Sequence, residues 1–243
     1  MKVAIMQPYL FPYIGYFQLI NAVDQFVILD DVQYIKRGWI NRNKILLNDS
    51  EYMFTFSLAK DSSRLNINQR FFSENYLKEK GNFLETLKRS YGRLENYRKV
   101  SNLIEEILNV DIRNEDISKM IARSLRLICN YLEVSTQIIF SSEFGDLVGL
   151  RGEEKIIAIN KQLNSSHYIN PIGGMELYSE ENFLRQDIQL SFLKSREVQY
   201  KQREKFIPWL SIIDVLMFNS REEVIALLKE YDFVNQHERR AIF

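Results

Sequence analysis

The first thirty residues alternate two short apolar runs with one segment of helical spacing, and this order restricts the fold more than any other feature. Residues 3–6 (VAIM) have the continuous apolar character of a strand buried on both faces. Residues 11–22 space their apolar side chains mostly as a helix does, and residues 25–30 (QFVILD) form a second apolar run. A strand, a helix and a strand in this order join parallel neighbours. We therefore expect a parallel α/β sheet that starts at the N-terminus.

The rest of the chain continues this alternation around a block of helices. Residues 43–59 have the pattern of a hairpin that turns at Asn48, Asp49 and Ser50. The other predicted elements are two helices within 75–109 that separate near Gly92, a helix over 115–134, a strand over 137–142, a helix over 149–164, strands over 167–171 and 188–194, and two helices within 208–231, the second capped by Ser220 with Glu223.

Strands and helices alternate at both ends of the chain, whereas the middle is helical. This arrangement predicts a three-layer α/β fold with a mostly parallel, Rossmann-like sheet. An inserted helical subdomain over residues 75–134 and C-terminal helices complete the prediction. Because no proline-rich linker or low-complexity segment marks a boundary, we expect a single α/β domain over residues 1–243.

The charge balance excludes functions that depend on a strong net field. The 32 basic and 32 acidic side chains cancel, so we expect no nucleic-acid partner, and any phosphate binding must be local. The single cysteine, Cys129, suits a reducing compartment and a place in a helix core. The N-terminal apolar run is too short for a signal peptide, and no window reaches the roughly 18 apolar residues of a membrane span. We expect a cytoplasmic protein that meets a membrane only through a partner.

Polar or glycine-bearing clusters follow three of the predicted strands. In open parallel sheets, ligands bind at the carboxyl ends of the strands, near the point where the strand order reverses. The clusters are Gln7, Pro8 and Tyr9; Asp30, Asp31 and Gln33; and Asn170, Pro171, Gly173 and Gly174. Each cluster alone is also explained as a turn or a helix cap. Their convergence on one edge of the sheet predicts a binding pocket.

The segment YIKRGWINRNK, residues 34–44, combines cations, amides and a tryptophan. Its members are Lys36, Arg37, Arg42 and Lys44, with Trp39, Asn41 and Asn43. A solvated charged face is one interpretation, but an exposed tryptophan fits it poorly. Cations, amides and an aromatic ring are what a phosphate- and ring-bearing ligand requires. We expect this segment to form a wall or lid of the pocket.

The segment Tyr13-Ile14-Gly15-Tyr16 resembles, in its position, the histidine-x-glycine-histidine box of the nucleotidyltransferase superfold. That box follows the first strand and stabilises a transferring phosphate. Tyrosine can donate a hydrogen bond but stays neutral near pH 7. The similarity therefore suggests kinship of fold more than a shared reaction, and the two tyrosines are candidates either for pocket contacts or for core filling.

Nucleophilic and metal-binding arrangements are not evident in the sequence. The two histidines, His167 and His237, stand neither at a metal-ligand spacing nor near a G-x-S-x-G motif. No P-loop and no G-x-G-x-x-G occur, so we expect no metal site and assign no cofactor. We expect a structural role for His167 and a solvated one for His237. Asp214 lies in an apolar helix as a structural brace and needs a partner, such as Arg42 or a backbone amide.

Three stretches together resemble the WbqC-like family of bacteria, over essentially the whole chain. They are MQPYLFPYIGYFQLINAVDQFVILDDVQYIKRGWINRNKI, HYINPIGGMELY and IPWLSIIDVLMFN. The residues that carry the family motif are Gln7, Pro8, Tyr9, Pro12, Gly15, Tyr16, Asp24, Asp30, Asp31, Gln33, Trp39, Asn41, Arg42 and Asn43. The resemblance implies a role in O-antigen or other surface-polysaccharide biosynthesis. It also implies transfer of glycine or another acyl group to an amino sugar.

The leading hypothesis is a transferase that acts on a nucleotide- or lipid-linked sugar, together with other polysaccharide-assembly enzymes. The predicted roles are phosphate binding by Lys36, Arg37 and Arg42, stacking by Trp39 or Tyr9, and general base catalysis by Asp30 or Asp31. Two alternatives remain open. One is an ATP-dependent adenylating enzyme whose aspartate pair holds magnesium. The other is a non-catalytic sugar-nucleotide-binding assembly factor.

Overall fold

The computed structural model describes residues 1–62, 64–145, 147–197, 199–203 and 205–236. The strands are β1 (Lys2–Met6), β2 (Gln25–Ile28), β3 (Arg42–Leu47), β4 (Ser50–Thr55), β5 (Gln137–Phe140), β6 (His167–Pro171), β7 (Gln189–Ser195) and β8 (Tyr231–Val234). The α-helices are α1 (Ile14–Asn21), α2 (Tyr76–Tyr91), α3 (Tyr97–Ile107), α4 (Ile117–Tyr131), α5 (Gly152–Gln162), α6 (Glu180–Leu184), α7 (Ile212–Phe218) and α8 (Arg221–Leu227). In the described part of the chain, none of these helices has the length and hydropathy needed to cross a bilayer.

The main sheet has six strands in the order β5-β2-β1-β6-β7-β8. The first five are parallel, and β8 pairs antiparallel with β7 at one edge. Counted along the chain, this order is 3-2-1-4-5-6, the arrangement typical of dinucleotide-binding Rossmann folds. The predicted α/β class with a mostly parallel sheet is confirmed, as is the parallel pairing of β1 with β2.

Helices cover both faces of the sheet and make three layers. Alternate residues of β1 point to opposite faces: Ala4 belongs to one apolar cluster, whereas Val3 and Ile5 belong to the other. The first cluster contains α1, α7 and α8 together with the inserted α2, α3 and α4. The second contains α5 and α6. Burial on both faces explains why the strands read as continuous apolar runs.

The hairpin of β3 and β4 forms a separate two-stranded sheet. Its turn places Asn48 and Asp49 at φ values of 49° and 57°, which match a two-residue turn of type I′. The hairpin is fixed to α2, because the hydroxyl of Ser90 donates to the carbonyl of Leu46 and the Tyr91 hydroxyl accepts from the amide of the same leucine at 2.9 Å. The hairpin prediction is confirmed, as are two helices that separate near residue 92.

Some boundaries and small elements differ from the sequence prediction. Helix α1 begins at Ile14 rather than residue 11, because Phe11 has a φ of 43° and precedes Pro12. Helix α5 begins at Gly152 rather than residue 149, because both glycines of the GLRG sequence have positive φ. The short helix α6 and the edge strand β8 were not predicted. Short elements carry too few residues for a periodic signal.

Candidate functional site

The strand order reverses between β1 and β6, which are neighbours in the sheet but far apart in the chain. Ligands of open α/β folds bind in the crevice outside the carboxyl ends of two such strands. A cavity of about 690 Å³ lies at this point. We call it the aromatic cavity; its walls include Gln7, Tyr9, Tyr13, Leu29, Trp39, Asn43, Lys44, Glu51, Asn170, Gly173, Gly174, Leu177, Tyr178 and Trp209.

The floor of the aromatic cavity is formed by the end of β6 and the turn that follows it. Asn170 is buried, and its Oδ1 accepts a hydrogen bond from the Tyr168 hydroxyl at 3.2 Å. Its Nδ2 lies over the backbone of Gly174, where an added Cβ would stand 2.0 Å away. Gly173 has open space on its Cβ side. Gly174 is therefore a glycine because the Asn170 amide occupies the place of a side chain.

The hairpin forms the opposite wall and is tied to the loop after β1. The Nδ2 of Asn43 donates to the carbonyls of Leu10 and Phe11 at 2.8 and 2.9 Å. This contact holds the loop against the cavity. Asn41 is also buried, and it accepts from the Tyr34 hydroxyl at 2.9 Å while its Nδ2 donates to the carbonyl of Phe56 at 2.9 Å. Of the two predicted amides, Asn43 lines the cavity and Asn41 stabilises the wall behind it.

The three tyrosines predicted for the pocket separate into two groups. Tyr9 and Tyr13 are partly buried and line the aromatic cavity. Tyr16 is buried in the core, and its hydroxyl donates to the carbonyl of Gln7 at 2.8 Å. Burial raises the pKa of all three hydroxyls above the ordinary value of 10.0. They therefore stay neutral hydrogen-bond donors near pH 7.

Both tryptophans of the chain lie at the aromatic cavity. Trp39 is 39% exposed and Trp209 is 70% exposed. The ring of Trp209 contacts the ring of Tyr13 edge-on, with 5.6 Å between centroids. The Nζ of Lys44 lies 6.0 Å from the centre of the Trp39 ring and pairs with Glu51 at 2.5 Å. Two exposed aromatic rings at one cavity form a surface suited to stacking on a ligand ring.

A second cavity, of about 1040 Å³, adjoins the first and shares Leu29 and Tyr178 with it. We call it the basic cavity; its polar walls include Asp31, Gln33, Arg64, Asn66, Ser142, Arg151 and Lys155. Lys155 is buried, and its Nζ lies 2.7 Å from Oδ1 of Asp31. Asp31 and Gln33, two of the three predicted residues after β2, thus lie in a different cavity from the residues after β1 and β6.

The two adjacent aspartates have different surroundings. Asp30 is buried and lines neither cavity. Its Oδ1 accepts from the hydroxyl of Ser141 and the amide of Ser142, and its Oδ2 accepts from the Ser142 hydroxyl and from Asn68. Asp30 therefore joins the ends of β2 and β5, and this placement favours Asp31 as the chemically active carboxylate.

Of the four cations of the early loop, Lys44 lines the aromatic cavity, whereas the three assigned to phosphate binding, Lys36, Arg37 and Arg42, line neither cavity. Lys36 and Arg37 are exposed. The guanidinium of Arg42 donates to the carbonyl of Gly38 at 2.9 Å and to the carbonyl of Arg37, so it stabilises the loop around Trp39. Their proposed phosphate contacts stay a prediction, and the cations at the cavities are others.

Arg64, Arg151 and Lys155 were not singled out in the sequence. The available signal was the sequence GLRGEEK at 149–155, where two glycines and two cations precede or open a helix. Arg64 gave no such signal. It lies in the long segment between β4 and α2, and only the folding of the chain brings it to the cavity.

The expected arginine partner of Asp214 is wrong. Asp214 is buried and accepts hydrogen bonds from the hydroxyls of Tyr91 and Tyr200 at 2.7 and 2.8 Å, and from Nε2 of Gln202 at 2.8 Å. Burial raises the pKa of this carboxyl above 3.8, against the opposing effect of the three donors. The residue joins α7 to the inserted α2 and to the segment before α7, which is the brace that was predicted.

His167 lines neither cavity. His167 is partly buried, and its Nε2 lies 2.9 Å from the Ser191 hydroxyl. Burial lowers its pKa from 6.5, and the charges of Lys2 and the N-terminus lower it further. His237 lies outside the described residues. The structural role expected for His167 agrees with this placement.

Cys129 provides a direct test of the packing of α4. Its side chain is buried, and burial raises the pKa of the thiol to about 12. At pH 8 the thiolate fraction is then very small, so we expect the native protein to react with a disulfide reagent about 1000-fold more slowly than free cysteine does. The unfolded protein should react at the ordinary rate. Fast reaction of the native protein would contradict this packing.

The fold and the two cavities define a Rossmann-like α/β protein with a ligand crevice at its switch point. The sequence model of the WbqC-like protein family matches residues 7–226, and the chain belongs to this family. It is 28% identical over 222 residues to the uncharacterized protein Rv1507c of Mycobacterium tuberculosis, across 90% of this chain and 93% of that protein. No solved structure matches the chain significantly.

Proposed function

We propose that this protein is a transferase of surface-polysaccharide biosynthesis that moves an acyl or aminoacyl group, such as glycyl, to an amino sugar carried on a nucleotide or a lipid. One observation carries the proposal. Two adjoining cavities of different chemistry meet at Leu29 and Tyr178, beside the switch point of the sheet. A reaction between two substrates needs two such sites with a common border.

The aromatic cavity fits the ring of the sugar-bearing substrate. Its volume lies within the roughly 300–1000 Å³ of small-molecule pockets. Exposed aromatic rings suit the apolar face of a sugar or base, whereas side-chain amides pair with hydroxyl and carbonyl groups. Gln7 and Asn170 supply such amides near Trp39 and Trp209, whereas Asn43 is used by its bonds to Leu10, Phe11 and Lys44.

Asp31 is the side chain that we assign as general base. It lines the basic cavity two residues beyond Leu29, which is common to the two cavities, and Lys155 holds its carboxylate from one side. In the proposed step, the amine nitrogen of the sugar attacks the carbonyl carbon of the donor. A new C–N bond forms, the bond from that carbon to the leaving group breaks, and Asp31 takes the proton from nitrogen.

The adenylating alternative gains less support from the structure. The Tyr16 hydroxyl is committed to the carbonyl of Gln7 inside the core, so it is not placed to contact a transferring phosphate. Asp30 is saturated by hydrogen bonds to Ser141, Ser142 and Asn68. An Asp30 and Asp31 pair is therefore not presented jointly to a ligand.

Binding is tested by tryptophan fluorescence, because both tryptophans line the aromatic cavity. Titration with nucleotide-linked amino sugars is expected to change the emission with saturation. Trp39→Ala should weaken binding about tenfold, the effect of losing one stacking contact. Tyr52→Ala is the matched control, since Tyr52 is equally exposed at 39% and lies on β4, outside the aromatic cavity. If no nucleotide-linked or lipid-linked amino sugar binds, the proposal fails.

Transfer is tested by mass spectrometry of the sugar product after incubation with activated acyl and aminoacyl donors. Asp31→Asn should bind the sugar but transfer at least about tenfold more slowly. Asp61→Asn, a change at an exposed aspartate, should transfer normally. Asp31→Asn leaves the buried Lys155 without its charged partner. Thermal unfolding of each variant is therefore measured to check that it folds. Binding without transfer in every mixture would favour the assembly-factor alternative.

A further inference from the structure

The proposed reaction uses only Asp31 from the basic cavity, yet this cavity has room for a ligand of its own. Three cationic side chains, Arg64, Arg151 and Lys155, lie around it. Among the residues described at its walls, Asp31 is the one acid, and it is paired with Lys155. The two arginines therefore give the cavity a net positive charge, although the 32 basic and 32 acidic residues of the whole chain cancel.

The two arginines are available to a ligand. Both are exposed at the cavity. Within the described ranges, neither guanidinium forms an ion pair, whereas nine ion pairs involve an arginine or lysine outside the cavity and show that such partners are common in this protein. A guanidinium fork matches the oxygens of a phosphate group in a bidentate geometry.

The walls strengthen the attraction of the cavity for anions. Phe144, Leu147, Leu150 and Ile156 supply apolar surface around the charged groups. Clefts that combine one sign of charge with low-dielectric walls concentrate the field. The loop with the glycines at 149 and 152 has open space where a Cβ would stand, so a ligand can approach its backbone closely.

We propose that the basic cavity binds the phosphate or diphosphate group of a second ligand, distinct from the ring held in the aromatic cavity. Arg64 and Arg151 contact the phosphate oxygens, and Lys155 keeps Asp31 in place. The inference rests on the proposed function only in identifying this ligand as the phosphate-activated donor. The site itself is defined by the cavity and its cations.

The test uses sodium pyrophosphate as a probe, in isothermal titration calorimetry at constant ionic strength. The wild-type protein is expected to bind one pyrophosphate. Arg64→Gln and Arg151→Gln should each weaken binding about tenfold, and the double variant about 100-fold, because each removes one charged hydrogen-bonding contact. The double variant Arg89→Gln with Arg93→Gln is the control, since it removes the same charge from exposed positions outside the cavity.

Two results would overturn the inference. One is the absence of pyrophosphate binding by the wild-type protein, and the other is equal loss of binding in the control and cavity variants. Tryptophan fluorescence separates this outcome from failure of the proposed function, because Trp39 and Trp209 line the aromatic cavity and neither lines the basic cavity. Pyrophosphate binding without any response to amino-sugar nucleotides would keep the anion site and refute the transferase proposal. The reverse pattern would refute the anion site alone.

Discussion

Replacing Gly174 by alanine is expected to weaken ligand binding in the aromatic cavity about 100-fold while leaving the protein folded. The new Cβ would stand 2.0 Å from Nδ2 and 3.2 Å from Cγ of Asn170, which is far inside van der Waals contact. Asn170 is buried, hydrogen-bonded to Tyr168 and part of the cavity wall, so moving its amide disturbs this hydrogen bond and the floor of the cavity. The ligand then loses the amide contacts and part of its space, worth about 2.7 kcal/mol together.

Gly173→Ala is the control for this prediction. The neighbouring glycine also lines the aromatic cavity, but nothing lies within 4 Å of an added Cβ there, so its change leaves Asn170 in place and should weaken binding at least about tenfold less than the change at Gly174. Both affinities are measured by tryptophan fluorescence, with thermal unfolding as the check on folding. Equal effects at the two glycines would show that any side chain added to this turn weakens binding, and that the contact with the Asn170 amide is not the cause.

A double-mutant cycle isolates the contact responsible. In an Asn170→Ala background the amide is absent, so Gly174→Ala should cost almost nothing further. Coupling of the two changes is the expected sign of a direct steric contact between residues 170 and 174. If the two losses simply add, Gly174 acts through the backbone and the explanation based on the amide is wrong.

The sequence predicts the fold well because most of its elements are local. The strand at residues 2–6, the helix after it and the hairpin turn at Asn48 and Asp49 each have their own periodic or turn signal. The neighbours of β1 are harder to predict. Its pairing with β6 depends on a crossover past β2, which no local pattern specifies.

The candidate site was predicted less completely, because adjacent residues have opposite surroundings. Asp30 and Asp31 follow one strand, yet alternation along an extended chain sends one into the interior and the other into a cavity. Asn41 and Asn43 are two residues apart and also differ, because Asn43 lines the aromatic cavity and Asn41 is bonded behind its wall. Which of two neighbours faces a ligand depends on the register of the whole element, and the register is fixed by distant partners such as Phe56 for Asn41.

Asp214→Ala is expected to cost the protein about 3 kcal/mol of unfolding free energy. The carboxylate accepts from Tyr91, Tyr200 and Gln202. Alanine leaves the two tyrosine hydroxyls without this acceptor, whereas Gln202 keeps its bonds to Tyr200 and Ile207. Each buried polar group without a partner costs about 1 kcal/mol or more. For a chain of this size the loss corresponds to roughly 10 °C in Tm. Asp61→Ala, at an exposed position, should change Tm by less than about 1 °C.

The pH dependence distinguishes the charge of Asp214 from its shape, through comparison with Asp214→Asn. Because burial raises the pKa of the carboxyl above 3.8 in the folded protein, folding favours its protonated form. Its contribution to stability is then complete below pH 3.8 and is lost as the pH rises through the folded pKa. The advantage of the wild type over the asparagine variant should therefore shrink from pH 4 upward in urea unfolding. A salt-bridged aspartate would show the opposite slope, so an advantage that grows with pH would mean that the three donors outweigh burial.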